Sequence, residues 1–326
     1  MRNLSTLNSQ LSTLNSELSL VFFTMKKLFT ILFMLLSGVA VAQTDIVDPN
    51  LGTPSKIGPA YFGPNAFPVP DMLDGRTSSE LKLELYGDCF LGTTTGNVAD
   101  DITGDLFAKL TIPLFTPKAN LTVWMPIFEY FYTSAELNAM RRLPAPYDKM
   151  ALQGMESGDV YISADVRILN QERHHLDMAF RAALKTASAN EYAKGRAYDS
   201  PGYFLDLALG HSFHLIGGNH YLRLAASGGF LCWQTDNGRQ NDAVMYGVMV
   251  KYRLKRWEVD ATFGGYVGWE NDGDRPMTLK ANLSYHIDNL SLRLGYQVGF
   301  HDWPYHQIRV GASYAFDILG KTTKNR

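Results

Sequence analysis

The chain has 326 residues, 46% of them hydrophobic, 19% charged and 12% aromatic, with 28 Gly and 2 Cys. Such a balance excludes collagen-like, low-complexity and disulfide-stapled classes and requires a folded core or a membrane-buried face. Thirty Lys+Arg against 32 Asp+Glu leave a net charge of −2, so no bulk positive field is present to hold nucleic acid by its phosphates.

Residues 1–24 carry a short repeat, Leu4–Ser9 recurring as Leu11–Ser16, upstream of Met25. This reads as low-complexity sequence ahead of the true start. From Met25-Lys26-Lys27 the chain passes through the apolar run Leu28–Val41 to Ala40-Val41-Ala42. These are the basic region, apolar region and small-residue cleavage site of a secretory signal peptide over 25–42, with cleavage before Gln43. The apolar run is broken by Thr30, Ser37 and Gly38 and falls short of the roughly 20 residues a spanning helix needs. Cleavage removes Arg2, Lys26 and Lys27 but only Glu17, so the exported chain is mildly acidic.

Residues 43–79 are rich in Pro and Gly, with Tyr61, Phe62 and Phe67 embedded among them, and follow neither a helical nor a strand period. Two readings stand: a flexible periplasmic leader, or a segment packed by its aromatics into a cavity, since a solvating linker needs no such aromatics. From residue 80 onwards, period-2 alternation dominates. In Trp257–Trp269 the residues Trp257, Val259, Ala261, Phe263, Gly265, Val267 and Trp269 share one face, with Glu258, Asp260 and Thr262 among those on the other. Twelve such segments are predicted, at 80–91, 104–112, 120–132, 158–168, 175–187, 202–214, 220–233, 242–254, 256–269, 276–287, 289–301 and 305–317. The 104–132 stretch is the least regular because it contains Pro113, Pro117 and Pro126.

The links between segments alternate. Short ones, down to Lys255 and Asp288, alternate with mostly longer ones such as 133–157, 188–201 and 234–241. Short turns on one side and long loops on the other are the pattern of an outer-membrane barrel. Segments of ten to thirteen residues suit a bilayer crossing at ~45° tilt, which takes about 9–11, better than a soluble sandwich with its typical 5–6. The expected fold is therefore all-β, a transmembrane up-and-down antiparallel β-barrel of about twelve strands over 80–317, with a tail at 318–326. Both barrel ends then fall on the periplasmic side, together with the leader.

Trp257 and Trp269 lie on one face, separated by roughly 28 Å along the normal at ~3.3 Å per residue and ~45° tilt. They are predicted to anchor the two membrane interfaces. Trp233 and Trp303, at strand ends beside the long loops, are expected at the interface as well. Cys89 and Cys232 fall in distant strands and are expected as two free thiols.

In the last segment Arg309, Gly311, Tyr314 and Phe316 resemble the polar-x-Gly-x-x-aromatic-x-aromatic assembly signal of Gram-negative outer-membrane β-barrels, although Asp317 to Arg326 continue beyond it. More loosely, Gly158-Asp159 and Leu184-Lys185-Thr186 are similar to features of the transporter-like barrels grouped with the meta-pathway phenol-degradation proteins. The resemblance implies residence in the outer membrane, with its lipids, lipopolysaccharide and the barrel-assembly machinery as partners.

With the polar face inward, Arg181, Asp206, Arg223, Asp260, Lys280, Arg293 and Arg309 are expected to line the pore near mid-height. Asp206 would pair with Arg181 or Arg223, and Asp260 with Lys280, leaving Arg293 and Arg309 in excess. Two readings remain open: a channel for small polar or anionic solutes, because basic rings select anions, or a salt-bridged interior that closes a structural or adhesion barrel. A lipid-modifying enzyme is weaker. His211 and Ser212 supply the residue types but, as strand neighbours, point to opposite faces, and no Gly-x-Ser-x-Gly element is present. Asn271-Asp272-Gly273-Asp274 reads as a turn before it reads as a calcium loop. No cofactor or metal motif is recognised.

Overall fold

The computed structural model describes residues 58–318, apart from 98, 115, 142–151, 190–195, 197–200, 215–219 and 235–239. The repeat, the signal-peptide segment, residues 43–57 and the tail from 319 lie outside the described residues.

The strands are β1 (Leu81–Gly92), β2 (Asp101–Pro113), β3 (Ala119–Thr133), β4 (Gln153–Glu156), β5 (Tyr161–Leu169), β6 (Asp177–Lys185) and β7 (Gly202–His214). They continue as β8 (His220–Gln234), β9 (Gln240–Leu254), β10 (Trp257–Gly268), β11 (Met277–Ile287), β12 (Leu290–His301) and β13 (Tyr305–Phe316). Every pairing is antiparallel, and all join sequence neighbours except β3 with β5 and β1 with β13; because β1 pairs with both β2 and β13, the sheet closes into a barrel of twelve strands. Closure leaves no open edge for water-starved backbone groups, which is the requirement for spanning lipid with strands. Among the described residues the connections between strands carry two short α-helices, α1 (Ala135–Met140) and α2 (Gln171–His174).

The thirteenth strand, β4, was not expected. It pairs only with the loop-end half of β3, at Glu129–Tyr132, while β5 pairs with the other half. The change of partner falls at Pro126, whose ring interrupts the ladder. The Pro126 carbonyl accepts from Gly158 N at 3.0 Å, and a Cβ at Gly158 would come within 1.9 Å of the ring. Glycine is needed there. On the opposite side, Lys255 and Asp288 take positive φ (54° and 49°), closing the two tightest turns.

The alternation sets apolar side chains outward and charged ones inward. Leu85, Leu106, Leu207, Val248, Val259, Leu294 and Val310 are exposed, while Asp88, Asp105, Arg181, Asp206, Arg223 and Glu258 are buried. Exposing the first set to water and burying the second in a dry core would both be costly. A lipid exterior and a polar lumen resolve both.

Trp257 and Trp269 face outward, 50% and 65% exposed. Trp233 and Trp303 do not: they are 1% and 4% exposed and point inward. Trp233 shares its face with Arg223 and Ala225 of β8, and parity along the strand, rather than nearness to its end, decides the side a residue faces. Cys89 and Cys232 are free thiols, Cys89 exposed and Cys232 covered.

Candidate functional site

Residues 58–78 run through the lumen as a strap. Four prolines, Pro59, Pro64, Pro68 and Pro70, fix φ and remove backbone donors, so this stretch reaches between the walls without joining the sheet. Its first residues lie at the loop end, where Gly58 approaches Gly273 of the β10–β11 connection so closely that a Cβ would overlap the Gly273 carbonyl. Its last residues lie at the short-turn end. There Thr77 Oγ1 donates to Pro117 O at 2.5 Å, and Ser78 and Asn120 exchange two hydrogen bonds, at 2.7 and 2.8 Å. Residues 58–78 therefore lie within the barrel.

The outer half of the strap is apolar. Phe62 and Phe67 meet edge to face at 5.1 Å and pack with Tyr161, Phe204, Trp233, Met245 and Tyr266. The strap's carbonyls are satisfied by the wall: Tyr266 Oη donates to Phe67 O (3.2 Å) and Tyr161 Oη to Asn65 O (3.4 Å). Such donors are needed because a buried carbonyl without a partner costs about as much as a lost hydrogen bond. Trp303 joins Phe90, Tyr305 and Ala60 in a second cluster beside it.

Two arginines from the long connections close over this half. Arg141, the C-cap of α1, donates to Phe62 O at 2.9 Å and pairs with Asp101 at 2.7 Å. Arg196 pairs with Asp101 and Glu129, both at 2.6 Å, and donates to Thr103. Its guanidinium also lies 4.6 Å from the Phe131 ring centre. Asn65 of the strap donates to Glu129 at 2.5 Å and Asp105 at 3.2 Å. Asp88, Asp105 and Glu129 face one another across β1, β2 and β3. Arg309 neutralises the first and Arg196 the last, while Asn65 provides a neutral donor between Asp105 and Glu129.

The inner half of the strap is acidic. Asp71 pairs with Lys280 and lies 3.9 Å from Arg309, and its carbonyl accepts from Arg181 at 2.8 Å. Asp74 lies 2.8 Å from Arg76, 3.6 Å from Arg223 and 3.8 Å from Lys251. Gly75 turns the strap with φ +84° against the backbone of Gly210. Beside Asp71 remains a small recess, open to solvent and lined by Glu84, Tyr86, Lys109, Arg293 and Arg309 among others.

All seven expected pore residues face this lumen, but the expected partners change in two places, at Asp260 and at Arg309. Arg181 does pair with Asp206, at 2.7 Å. Arg223 takes Asp177 at 2.8 Å, and Asp260 accepts from Asn282 instead of Lys280, because the β10–β11 register sets Asp260 opposite Asn282. Arg309 is not in excess: Asp88 holds it through two contacts of 2.7 Å. Arg293 donates to Ser284 at 3.4 Å and has no carboxylate within ion-pair distance among the described residues. Sequence reasoning passed over Asp71, Asp74, Asn65, Asp101, Glu129 and Arg196. The two strap carboxylates had a signal, being acidic groups downstream of an aromatic cluster in a segment with no period of its own.

His211 and Ser212 stand on opposite faces of β7, the first against His175 O at 2.7 Å and the second accepting from Arg223 at 2.8 Å. The Asn271–Asp274 stretch is a turn, with positive φ at Asn271 and Gly273, and Asp274 accepts from Glu270 N at 2.9 Å. Among the described residues no group of three or more His, Cys, Asp or Glu is arranged to hold a metal.

An apolar belt around a closed antiparallel barrel with a charged lumen defines an outer-membrane β-barrel. Tyr314 and Phe316 face outward at the short-turn end of β13, while Arg309 and Gly311 of the same strand face the lumen. No family model matches the chain, and no curated protein is similar to it in sequence. Among solved structures it is similar to an outer membrane channel from Pseudomonas putida F1, at 12% identity and a TM-score of 0.49, over 76% of this chain and 100% of that one. It is also similar to the NanC porin (11%, TM-score 0.45, 71% and 98%) and to LpxR from Salmonella typhimurium (9%, TM-score 0.45, 72% and 100%).

Proposed function

We propose that this protein is a channel of the Gram-negative outer membrane for small polar or anionic solutes, closed in this conformation by the strap. The observation that carries the reading is the lumen beside Asp71. Lys109, Arg293 and Arg309 line a water-reachable recess there, and Arg293 has no carboxylate partner among the described residues. A sealed structural core would bury and pair such groups, as it does Lys185 with Asp159 at 2.5 Å. Basic side chains facing water across a narrow lumen favour anions. On this reading lipid and lipopolysaccharide surround the belt, and Tyr314 and Phe316, with Arg309 and Gly311, form the signal read by the assembly machinery.

The test is single-channel conductance of refolded chains beginning at Gln43 and at Ser79, with folding checked by the heat-dependent shift on SDS gels. The chain beginning at Ser79 is expected to conduct steadily and to prefer anions; the chain beginning at Gln43 is expected to open rarely. Silence in a folded chain beginning at Ser79 would overturn the channel and favour a non-conducting surface barrel.

A further inference from the structure

We propose that the Asp71 carboxylate is a tethered stand-in for the solute, and that a small organic dicarboxylate displaces the inner half of the strap by competing for its cations. The inference deepens the channel reading and rests on it for its biological meaning.

The cations that hold the strap differ in their access to water. Arg181 and Arg223, 9% and 0% exposed, grip the carbonyls of Asp71 and Asp74 from the wall and are not open to exchange, so the contrast lies between the outer clamp and the Asp71 carboxylate. At the outer clamp Arg141 and Arg196 are each 1% exposed and already satisfied by Asp101 and Glu129. No solute reaches them without unfolding the mouth. Around Asp71 the arrangement is open: the Asp71 side chain is 51% exposed, Lys280 20% and Lys109 31%. A carboxylate held on a solvated face is exchangeable, because incoming anions meet the same cations without first paying to desolvate them.

The wall supplies more positive charge here than it neutralises by itself. Lys280 faces Thr262 across β10 and Gln297 across β12, neither of them charged, and its ion-pair partner is Asp71. Arg309 is shared between Asp88 of the wall and Asp71 of the strap. A second cationic position opens onto the same recess, formed by Lys109 and Arg293; Glu84 beside it pairs with Lys82 at 2.9 Å and lies 3.7 Å from Lys109. The strap carboxylate reaches the first position and not the second. A ligand carrying a carboxylate at each position matches both, whereas the strap matches one, and this difference lets a small dianion compete with a covalently tethered group. Tyr86, stacked on Phe107 at 4.8 Å, carries the Arg309 guanidinium over its ring at 4.2 Å and so fixes that cation beside the recess.

The experiment is hydrogen–deuterium exchange of the full chain in detergent, followed by mass spectrometry of strap peptides, with glutarate as the dicarboxylate and glutaramide as its uncharged counterpart. Glutarate is expected to raise the exchange rate of residues 71–76 at least tenfold and to leave Phe62 to Phe67 protected. Glutaramide is expected to do nothing. The Asp71→Asn chain should exchange fast in the same stretch without ligand and bind glutarate at least tenfold more tightly by calorimetry, while Asp71→Glu should behave like the unaltered chain. Exchange unmoved by glutarate, equal acceleration by glutaramide, or no tightening in Asp71→Asn would overturn the proposal. These readouts involve no ion flow. A silent but folded chain beginning at Ser79 would remove the channel reading and leave the competition standing, whereas a conducting one whose strap ignores glutarate would do the reverse.

Discussion

Arg196 reaches the barrel mouth from a long connection and gives up almost all of its water there. Burial works against its charge, but Asp101 and Glu129 outweigh that and hold the guanidinium's pKa above its ordinary value. The planar fork meets Glu129 through Nε and Asp101 through Nη1, a geometry that an ammonium cannot reproduce. Replacing it strands Glu129 beside Asp105 with only Asn65 as partner. Arg196→Gln is therefore expected to destabilise the barrel by about 3–5 kcal/mol, the usual cost of removing one partner from a buried pair. The temperature at which the SDS-gel shift is lost should fall, and Arg196→Lys should recover only part of the loss. Tolerance of Arg196→Gln without change would mean that the mouth is wetter than its geometry implies.

At the scale of the element, the strap has no ladder of its own to hold it. Its shape comes from four prolines, and its position from side chains of the wall that satisfy its carbonyls and flank its aromatics. Phe67 is central to the outer half, fully buried between Phe62 and the wall. Phe67→Ala removes a large buried ring, typically worth about 3–5 kcal/mol, and should free the outer half without dismantling the barrel. The expected result is rapid chymotrypsin cleavage at Tyr61 and Phe62 in the folded variant and slow cleavage in the unaltered chain. Asn65→Asp should act in the same direction, because it replaces a donor to Glu129 and Asp105 by a third carboxylate.

The whole molecule depends on which solvent meets each face. Val248, near the middle of β9, is 54% exposed on the outer wall, where hydrocarbon is expected to cover it. Val248→Arg should cost about 2–4 kcal/mol at the bilayer midplane, measured as a lowered urea midpoint of the barrel in phosphatidylcholine vesicles. A water-covered wall would predict almost no change. The same parity rule explains the misplaced tryptophans. Trp233 stands at a strand end, as an interfacial anchor would, but on the lumen face, where Phe204 and the strap supply its apolar surroundings.

Strand existence and spacing were legible because a sheet between lipid and a polar lumen imposes a period of two on every crossing, and β7 spans the expected residues 202–214. The turns were legible for a related reason, since short links restrict the backbone at Lys255 and Asp288. The short strand β4 and the switch at Pro126 were not legible, because both depend on which segment lies beside β3 in space. The charged lumen followed from residue parity alone. The pairing of those charges did not, because it depends on register, and a shift of two positions, which keeps the same face, sets Asp260 opposite Asn282 instead of Lys280. The sequence by itself thus determined the barrel, its lipid face and the residue types in its lumen, all consequences of local alternation. Only the tertiary structure decided that residues 58–78 occupy that lumen and which wall cations hold Asp71 and Asp74, because those contacts join positions more than a hundred residues apart that no local pattern connects.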